Sequence, residues 1–264
     1  MTTRTGAGKR TRQGAGKGAR GAEAQRSRHA PGGRSATGDT HSAELRRKLE
    51  LVGTAYSEAS RALWSHPRLA ERFADYLVRT HSIIRASVPV MEAARDRAAE
   101  LAPDDAVAAD VAAYLTHHIR EERHHDEWLL DDLEVLGVPR EQVLAQMPSA
   151  TVAALVGSQY YWIRHHHPVA LLGYIAVLEG TPPVAEHVEG IIRQTGLPRK
   201  AFRTILKHAD LDPHHRDALN RALDAMPLTA DHAATIAISG FSTLQLLGRS
   251  LTETVDNWTR SRSG

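Results

Sequence analysis

Residues 104–137 read DDAVAADVAAYLTHHIREERHHDEWLLDDLEVLG and contain the pattern that decides the fold. Steps of three and four residues along this stretch place one row of side chains on a single face, which is typical of an amphipathic helix. Both ends of the row are aliphatic, so the pattern predicts one helix, beginning at Asp104 or Asp105 and ending at Gly137, with this face in the core. The row consists of Val111, Leu115, His118, Glu122, His125, Leu129, Leu133 and Leu136.

The rest of the chain from residue 39 onward has the same helical periodicity and no alternating strand pattern. Glycines and prolines divide it into about eight to ten helical segments joined by short turns. Pro213 lies inside one segment, where the helix is expected to kink or restart. The sequence therefore predicts an all-α, bundle-like domain over residues 39–264.

The N-terminal segment, residues 1–38, differs from this domain in composition. It carries nine Lys/Arg and one acidic residue, a net charge of +8, whereas the remainder has a net charge of −6. Few large apolar side chains occur in it, so we predict a disordered basic tail. No aromatic residue is interleaved with its arginines, which favours a solubilising extension over nucleic-acid binding.

Composition also limits the chemistry. The chain has no cysteine, which excludes disulfides, thiolate zinc sites, iron–sulfur clusters and a cysteine nucleophile. No apolar run approaches the roughly 20 residues of a membrane span, and no apolar signal region follows the basic start. These features predict a cytoplasmic protein.

Glu122 and His125 occupy positions on the apolar row where leucines would be expected. A buried ionised glutamate is costly unless it is paired or bound to a metal. Glu-x-x-His is an arrangement that helical bundles use for non-haem iron or manganese. The overlapping pair Glu121 and His124 has the same spacing and stays an alternative, but it falls on the flank of the helix, so we favour Glu122 with His125.

Two further segments offer donors. Glu179 ends the apolar stretch PVALLGYIAVLEG, where it either points inward or reaches solvent beside Gly180. In HADLDPHH, residues 208–215, His208, Asp212 and His215 are spaced by four and three, so one helix face presents all three. The alternative role of Asp212 is to cap a helix beginning at Pro213.

Three segments thus supply six candidate oxygen and nitrogen ligands. Carboxylates with imidazoles and without thiolates suit iron, with manganese as the alternative. Six ligands exceed the need of one ion with open positions, so we infer two ions that share carboxylates. The candidate ligands are Glu122, His125, Glu179, His208, Asp212 and His215.

In this order the motifs HIREERHHDEWLLDDLEVLG, PVALLGYIAVLEG and HADLDPHH resemble the haem-oxygenase-like di-iron oxidases, also described as the iron-containing redox enzyme family. The resemblance covers roughly residues 45–255. It implies a haem-oxygenase-like helical bundle without haem, the same six residues as iron ligands, and activation of O₂ to oxidise a small amino- or fatty-acid-like substrate. The offset between the Glu and the His varies in this family, which leaves Glu121 and His118 open as first-helix ligands.

The partners implied are a small-molecule substrate and O₂. The sequence does not identify the electron donor, and a homodimer is possible. His118 is expected to hold a ligand carboxylate from one turn away. The aromatics at 160–162 and the histidines at 165–167 are candidates for a substrate cavity, although core packing and a helix–loop junction are favoured for them. The alternatives in function are a non-catalytic metal-binding bundle and another haem-oxygenase-like enzyme, cofactor-free or thiamin-degrading; the thiamin-degrading type usually needs a cysteine.

Overall fold

Helices account for most of residues 38–260, the part of the chain that the computed structural model describes. No β-strand occurs in this part, so the all-α prediction is confirmed. No helix in it is long and apolar enough to cross a bilayer. The predicted tail lies outside the described residues, apart from Gly38. The helices are α1 (His41–Val52), α2 (Thr54–Trp64), α3 (Leu69–Leu101), α4 (Ala106–Glu122), α5 (His125–Val135), α6 (Arg140–Ala145), α7 (Ala150–His165), α8 (Leu171–Leu178), α9 (Ala185–Thr195), α10 (Arg203–Ala225) and α11 (Ala230–Arg260).

Breaks within predicted segments make the helices more numerous than expected. The prediction of one helix over residues 104–137 is wrong, because α4 ends at Glu122 and α5 begins at His125. Between them Arg123 is extended (φ −60°, ψ 134°) and His124 is left-handed (φ 71°). A left-handed residue cannot continue an α-helix, so the chain changes direction there. The restart expected at Pro213 is also absent, since α10 runs through it from Arg203 to Ala225.

The break between α4 and α5 separates two apolar clusters. Val111 and Leu115 of α4 belong to a core cluster with α3, α7, α8 and α11. Leu129 and Leu133 of α5 belong to a second cluster, together with the start of α3, Phe202 before α10, and Trp258 near the end of α11. The polar residues of the row lie between these two clusters. Their position buries them without making them part of either core.

A close backbone contact fixes α8 against α11. A Cβ on Gly173 of α8 would lie 2.0 Å from the carbonyl oxygen of Ile236 and 2.8 Å from the amide nitrogen of Gly240, both on α11. Only glycine allows this approach. The contact holds α8 in place, and with it Glu179, which follows its last residue.

Candidate metal centre

The turn at His124 brings Glu122 and His125 together from two helices. The carboxylate of Glu122 and the ring of His125 are buried, with 3.1 Å between Oε2 and Nδ1. In the overlapping frame, by contrast, Glu121 and His124 are exposed. Of the two frames that the sequence left open, the structure therefore buries Glu122 with His125.

Glu179 points inward. Its side chain is buried, and its Oε1 lies 3.0 Å from Nε2 of His118. The apolar residues of α8 pack into the core, so the residue at its C-terminal end is carried inside with them. The alternative in which Glu179 reaches solvent is wrong.

Helix α10 contributes two imidazoles. Nδ1 of His208 donates a hydrogen bond to the carbonyl oxygen of Thr204 at 2.9 Å, which leaves its Nε2 free to bind a ligand. The amide of Thr204 in turn donates to the buried carboxylate of Asp132 at 2.8 Å. Nδ1 of His215 lies 3.2 Å from Oε1 of Glu122 and 3.6 Å from Oε2 of Glu179.

These contacts form two groups of three residues, and in each group the potential ligand atoms lie within 4.8 Å of one another. Each group has one carboxylate and two imidazoles. His215 joins the groups because it contacts both carboxylates. The first group is His118, Glu179 and His215; the second is Glu122, His125 and His208.

Asp212 and His118 are the two residues whose roles the sequence left most open. Asp212 is 3% exposed, lies inside α10 and belongs to neither group of three. Its proposed capping of a helix at Pro213 is wrong, because the helix does not begin there. His118, expected to hold a ligand carboxylate and also left open as a first-helix ligand, contributes its own ring to the first group.

Burial disfavours the charged form of each titratable group in the site that is described below. Burial raises the pKa of Glu179, and the hydrogen bond from His118 only partly opposes this. Burial, together with the charges of Glu179 and Glu122, raises the pKa of Asp212 to about 8. Burial lowers the pKa of His118, but the hydrogen bond and charge of Glu179 outweigh it and raise this pKa to about 9. The site therefore holds protons that a cation would displace.

The remaining groups are set by their neighbours. Burial lowers the pKa of His208 and of His215, so both rings are neutral and able to act as ligands at pH 7. Burial acts to raise the pKa of Glu122, but the hydrogen bond and charge of His125 outweigh it, and the net shift is downward.

Unsatisfied polar atoms test whether a metal fits. Glu122 Oε1, Glu179 Oε2 and Asp212 Oδ1 are buried without a hydrogen-bond partner. Buried carboxylate oxygens without partners are costly, and a bound cation would satisfy them. Their chemistry, oxygen and imidazole nitrogen without sulfur, suits iron or manganese. The residues present fit a metal centre.

Other residues around the centre were not assigned a role from the sequence. The ring of Tyr114 stacks on His118 with centroids 5.3 Å apart, and its buried hydroxyl has no hydrogen-bond partner. Trp128 stacks on His125 at 4.0 Å, and Nζ of Lys207 lies 3.6 Å from the centroid of a Trp128 ring. Their spacing in the sequence could have indicated these contacts, because residues three or four apart are neighbours on a helix: Tyr114 lies four residues before His118, and Trp128 lies three after His125.

A third group, Asp105, His167 and His232, also has the geometry of a metal site. Its hydrogen bonds favour a structural role. Nδ1 of His167 accepts from the amide of Val169 at 3.0 Å, so in the neutral ring Nε2 carries the proton and donates to Asp105 at 3.1 Å. Nδ1 of His232 likewise accepts a hydrogen bond from the backbone amide of Thr229, at 3.3 Å. This group joins the start of α4 to the turn before α8.

Solved structures place this helix arrangement in the haem-oxygenase-like class. A domain of unknown function from Shewanella denitrificans OS217, described as having a heme oxygenase-like fold, is similar with a TM-score of 0.68 and 18% identity over 84% of this chain and 95% of that one. A TenA homolog from Pseudomonas syringae pv. tomato DC3000 has a TM-score of 0.63 and 13% identity, over 84% and 96%. A CADD-like protein of unknown function from Nostoc punctiforme PCC 73102 has a TM-score of 0.59 and 17% identity, over 83% and 97%.

The chain belongs to the iron-containing redox enzyme family, whose model matches residues 65–248. No curated protein shows significant similarity to it. The family and the haem-oxygenase-like fold expected from the three sequence motifs are therefore confirmed.

Proposed function

We propose that this chain is a non-haem di-iron oxidase or oxygenase that uses O₂ to oxidise a small amino- or fatty-acid-like substrate. The observation that carries the proposal is the pair of groups, buried except for the half-buried His208, each with one carboxylate and two imidazoles, that meet at His215. Membership of the iron-containing redox enzyme family favours iron over manganese.

In this proposal each group of three holds one ion, and Asp212 is a seventh donor beside them. Bound iron would supply O₂ activation. The carboxylates of Glu122 and Glu179 both lie close to His215, and each would hold an ion in its own group. The ligand set is His118, Glu122, His125, Glu179, His208, Asp212 and His215.

The chain's own residues would position the ligands and handle protons. The hydrogen bond from Nδ1 of His208 to Thr204 fixes the ring so that Nε2 faces the site. The proton between Nε2 of His118 and Oε1 of Glu179 must leave before both atoms can act as ligands. Iron affinity should therefore rise with pH across the neutral range.

Anaerobic loading with Fe(II), followed by removal of free metal and iron analysis, tests the centre. We expect about two irons per chain. Glu179→Ala should lose iron from the first group and His208→Ala from the second, while His124→Asn, an exposed neighbour of His125, should load normally. No iron binding, or binding unchanged in both ligand variants, would overturn the proposal.

O₂ consumption separates an oxidase from a metal-binding bundle without activity. The loaded protein should consume O₂ when a substrate is added, and a screen of amino acids and fatty acids would identify the substrate. A protein that retains iron and never consumes O₂ in the presence of any member of the screen is the non-catalytic alternative.

A further inference from the structure

A cavity of about 460 Å³ lies one helical turn along α10 from His215 of the candidate metal centre, and none of the candidate ligands lines it. It lies among α1, α2, the C-terminal end of α8, α10 and α11. Gly180, which follows Glu179, lines it, and so do Arg216, which follows His215, and Leu219, one helical turn beyond His215. Its volume is in the range of sites for small molecules, about 300–1,000 Å³.

The lining combines an apolar wall with cationic side chains. Three arginines and one acidic residue, Glu50, contribute its charges. Arg46 and Arg61 are exposed and form no ion pair with any residue in the described range 38–260, whereas Arg216 pairs with its neighbour Asp217 at 3.0 Å. The apolar wall consists of Leu45, Leu49, Leu219, Leu223 and Leu244, with Tyr56, Ala176 and Val177.

Helices α1 and α2 supply the two unpaired arginines, and both helices precede the part of the chain that matches the family, which begins at residue 65. Leu49 of α1 packs on Gly240 of α11, where a Cβ would lie 2.8 Å from Cδ2 of the leucine. Tyr56 of α2 packs on Gly248, with its Cα 3.3 Å from the Cβ position. These contacts fix α1 and α2 over the cavity.

We propose that this cavity is the substrate site, and that Arg46 and Arg61 bind the anionic head group of an amphipathic substrate whose apolar body lies along the leucines. The assignment as substrate site rests on the proposed function and deepens it. A guanidinium forms strong, paired hydrogen bonds with planar carboxylates and with phosphates, so either head group satisfies the chemistry. The apolar wall excludes substrates that are charged along their whole length.

Binding to the full-length, metal-free protein tests this site without relying on turnover. The probes are decanoate and decyl phosphate, with decanol and decylammonium as matched controls, titrated calorimetrically. We expect one or both anions to bind, decanol about tenfold more weakly for want of a charge-assisted hydrogen bond, and decylammonium weakest. The stronger of the two anions identifies the head group. Equal binding of decanol, or no binding of either anion, would overturn the proposal.

Variants of Arg46 on α1 and Arg61 on α2 locate the head group. Arg46→Gln, Arg61→Gln and the double variant should weaken anion binding, the double variant by about tenfold or more, and leave decanol unaffected. Arg47→Gln is the matched control, because Arg47 is the next residue of α1, pairs with Asp39 and does not line the cavity. Ala176→Leu should weaken all four probes by filling the cavity. Equal anion binding in the double variant and in Arg47→Gln would contradict the assignment.

Iron analysis on the same samples separates the two proposals. Arg46 and Arg61 are not ligands, so their variants should load iron as the native chain does. If the anions bind and iron does not, the anion site stands and the di-iron function fails. If iron binds and neither anion does, the cavity assignment alone is overturned.

Discussion

Replacing Asp212 with Asn is expected to have opposite effects on the metal-free and the metal-loaded protein. In the folded chain burial and the charges of Glu179 and Glu122 raise the pKa of Asp212 to about 8, from 3.8. The folded state therefore holds a proton that the unfolded state releases above about pH 4. Because the folded state binds more protons, stability is lost as the pH rises from about 4 to about 8.

The size of the effect follows from the same shift. One pKa unit corresponds to about 1.4 kcal/mol, and about three units separate 3.8 from pH 7, so the metal-free protein loses up to about 4 kcal/mol by pH 7. Asparagine has a similar shape and does not titrate. Asp212→Asn should therefore stabilise the metal-free protein by up to that amount at pH 7 and by almost nothing at pH 4.

Urea denaturation of chelator-treated protein at pH 4 to 8 measures this difference. Asp210→Asn is the control, because Asp210 lies on the same helix and is exposed. With Fe(II) or Mn(II) bound, the sign should reverse, since the variant lacks a charged donor for the metal. A metal-free Asp212→Asn protein that is less stable than the native one at pH 7, or more stable by the same amount at pH 4, would refute the reasoning.

Three further predictions concern the scaffold. Gly173→Ala should lower the free energy of unfolding by about 3 kcal/mol or more, because its Cβ would meet backbone of α11. Gly157→Ala is the control: no atom outside its own stretch of helix lies within 4 Å of its Cβ position, so the change should be neutral or stabilising by up to about 1 kcal/mol. Equal effects of the two substitutions in thermal denaturation would contradict the contact between α8 and α11. His124→Gly should stabilise the chain by about 1 kcal/mol by relieving the left-handed conformation, whereas His124→Val should destabilise it in the same assay. Deleting residues 1–38 should leave iron content and the thermal midpoint unchanged, and a loss of bound iron would show that this segment contributes to the site.

The sequence predicted the helical class and the segments that form the site because their periodicity and polar insertions are local signals. It did not predict the break at His124, because positive φ is uncommon for any residue other than glycine, and a histidine within a helical pattern does not by itself mark a left-handed turn. It also left open whether His118 supports a carboxylate or is itself a ligand, because a side chain on an apolar row does not reveal which partner it meets across the bundle. That partner is Glu179, sixty-one residues away in the chain.

Asp212 is a second residue for which helical spacing predicted the face of the helix but not the contacts. Its spacing from His208 and His215 was correct for one helix face, and the structure buries it there. Spacing along α10 does not show which ligand atoms the carboxylate meets across the bundle, and Asp212 is a member of neither three-residue group.

The left-handed turn at His124 also bears on how this site tolerates change in length. In a continuous helix one inserted residue would rotate everything beyond it by about 100° and turn His125 away from the centre. Here the insertion would fall in a turn between two separately packed helices, and the turn would absorb it while α4 and α5 stayed in their own apolar clusters. Natural chains with this fold could therefore differ in the number of residues between the glutamate and the histidine, and a fixed Glu-x-x-His pattern would fail to recognise them.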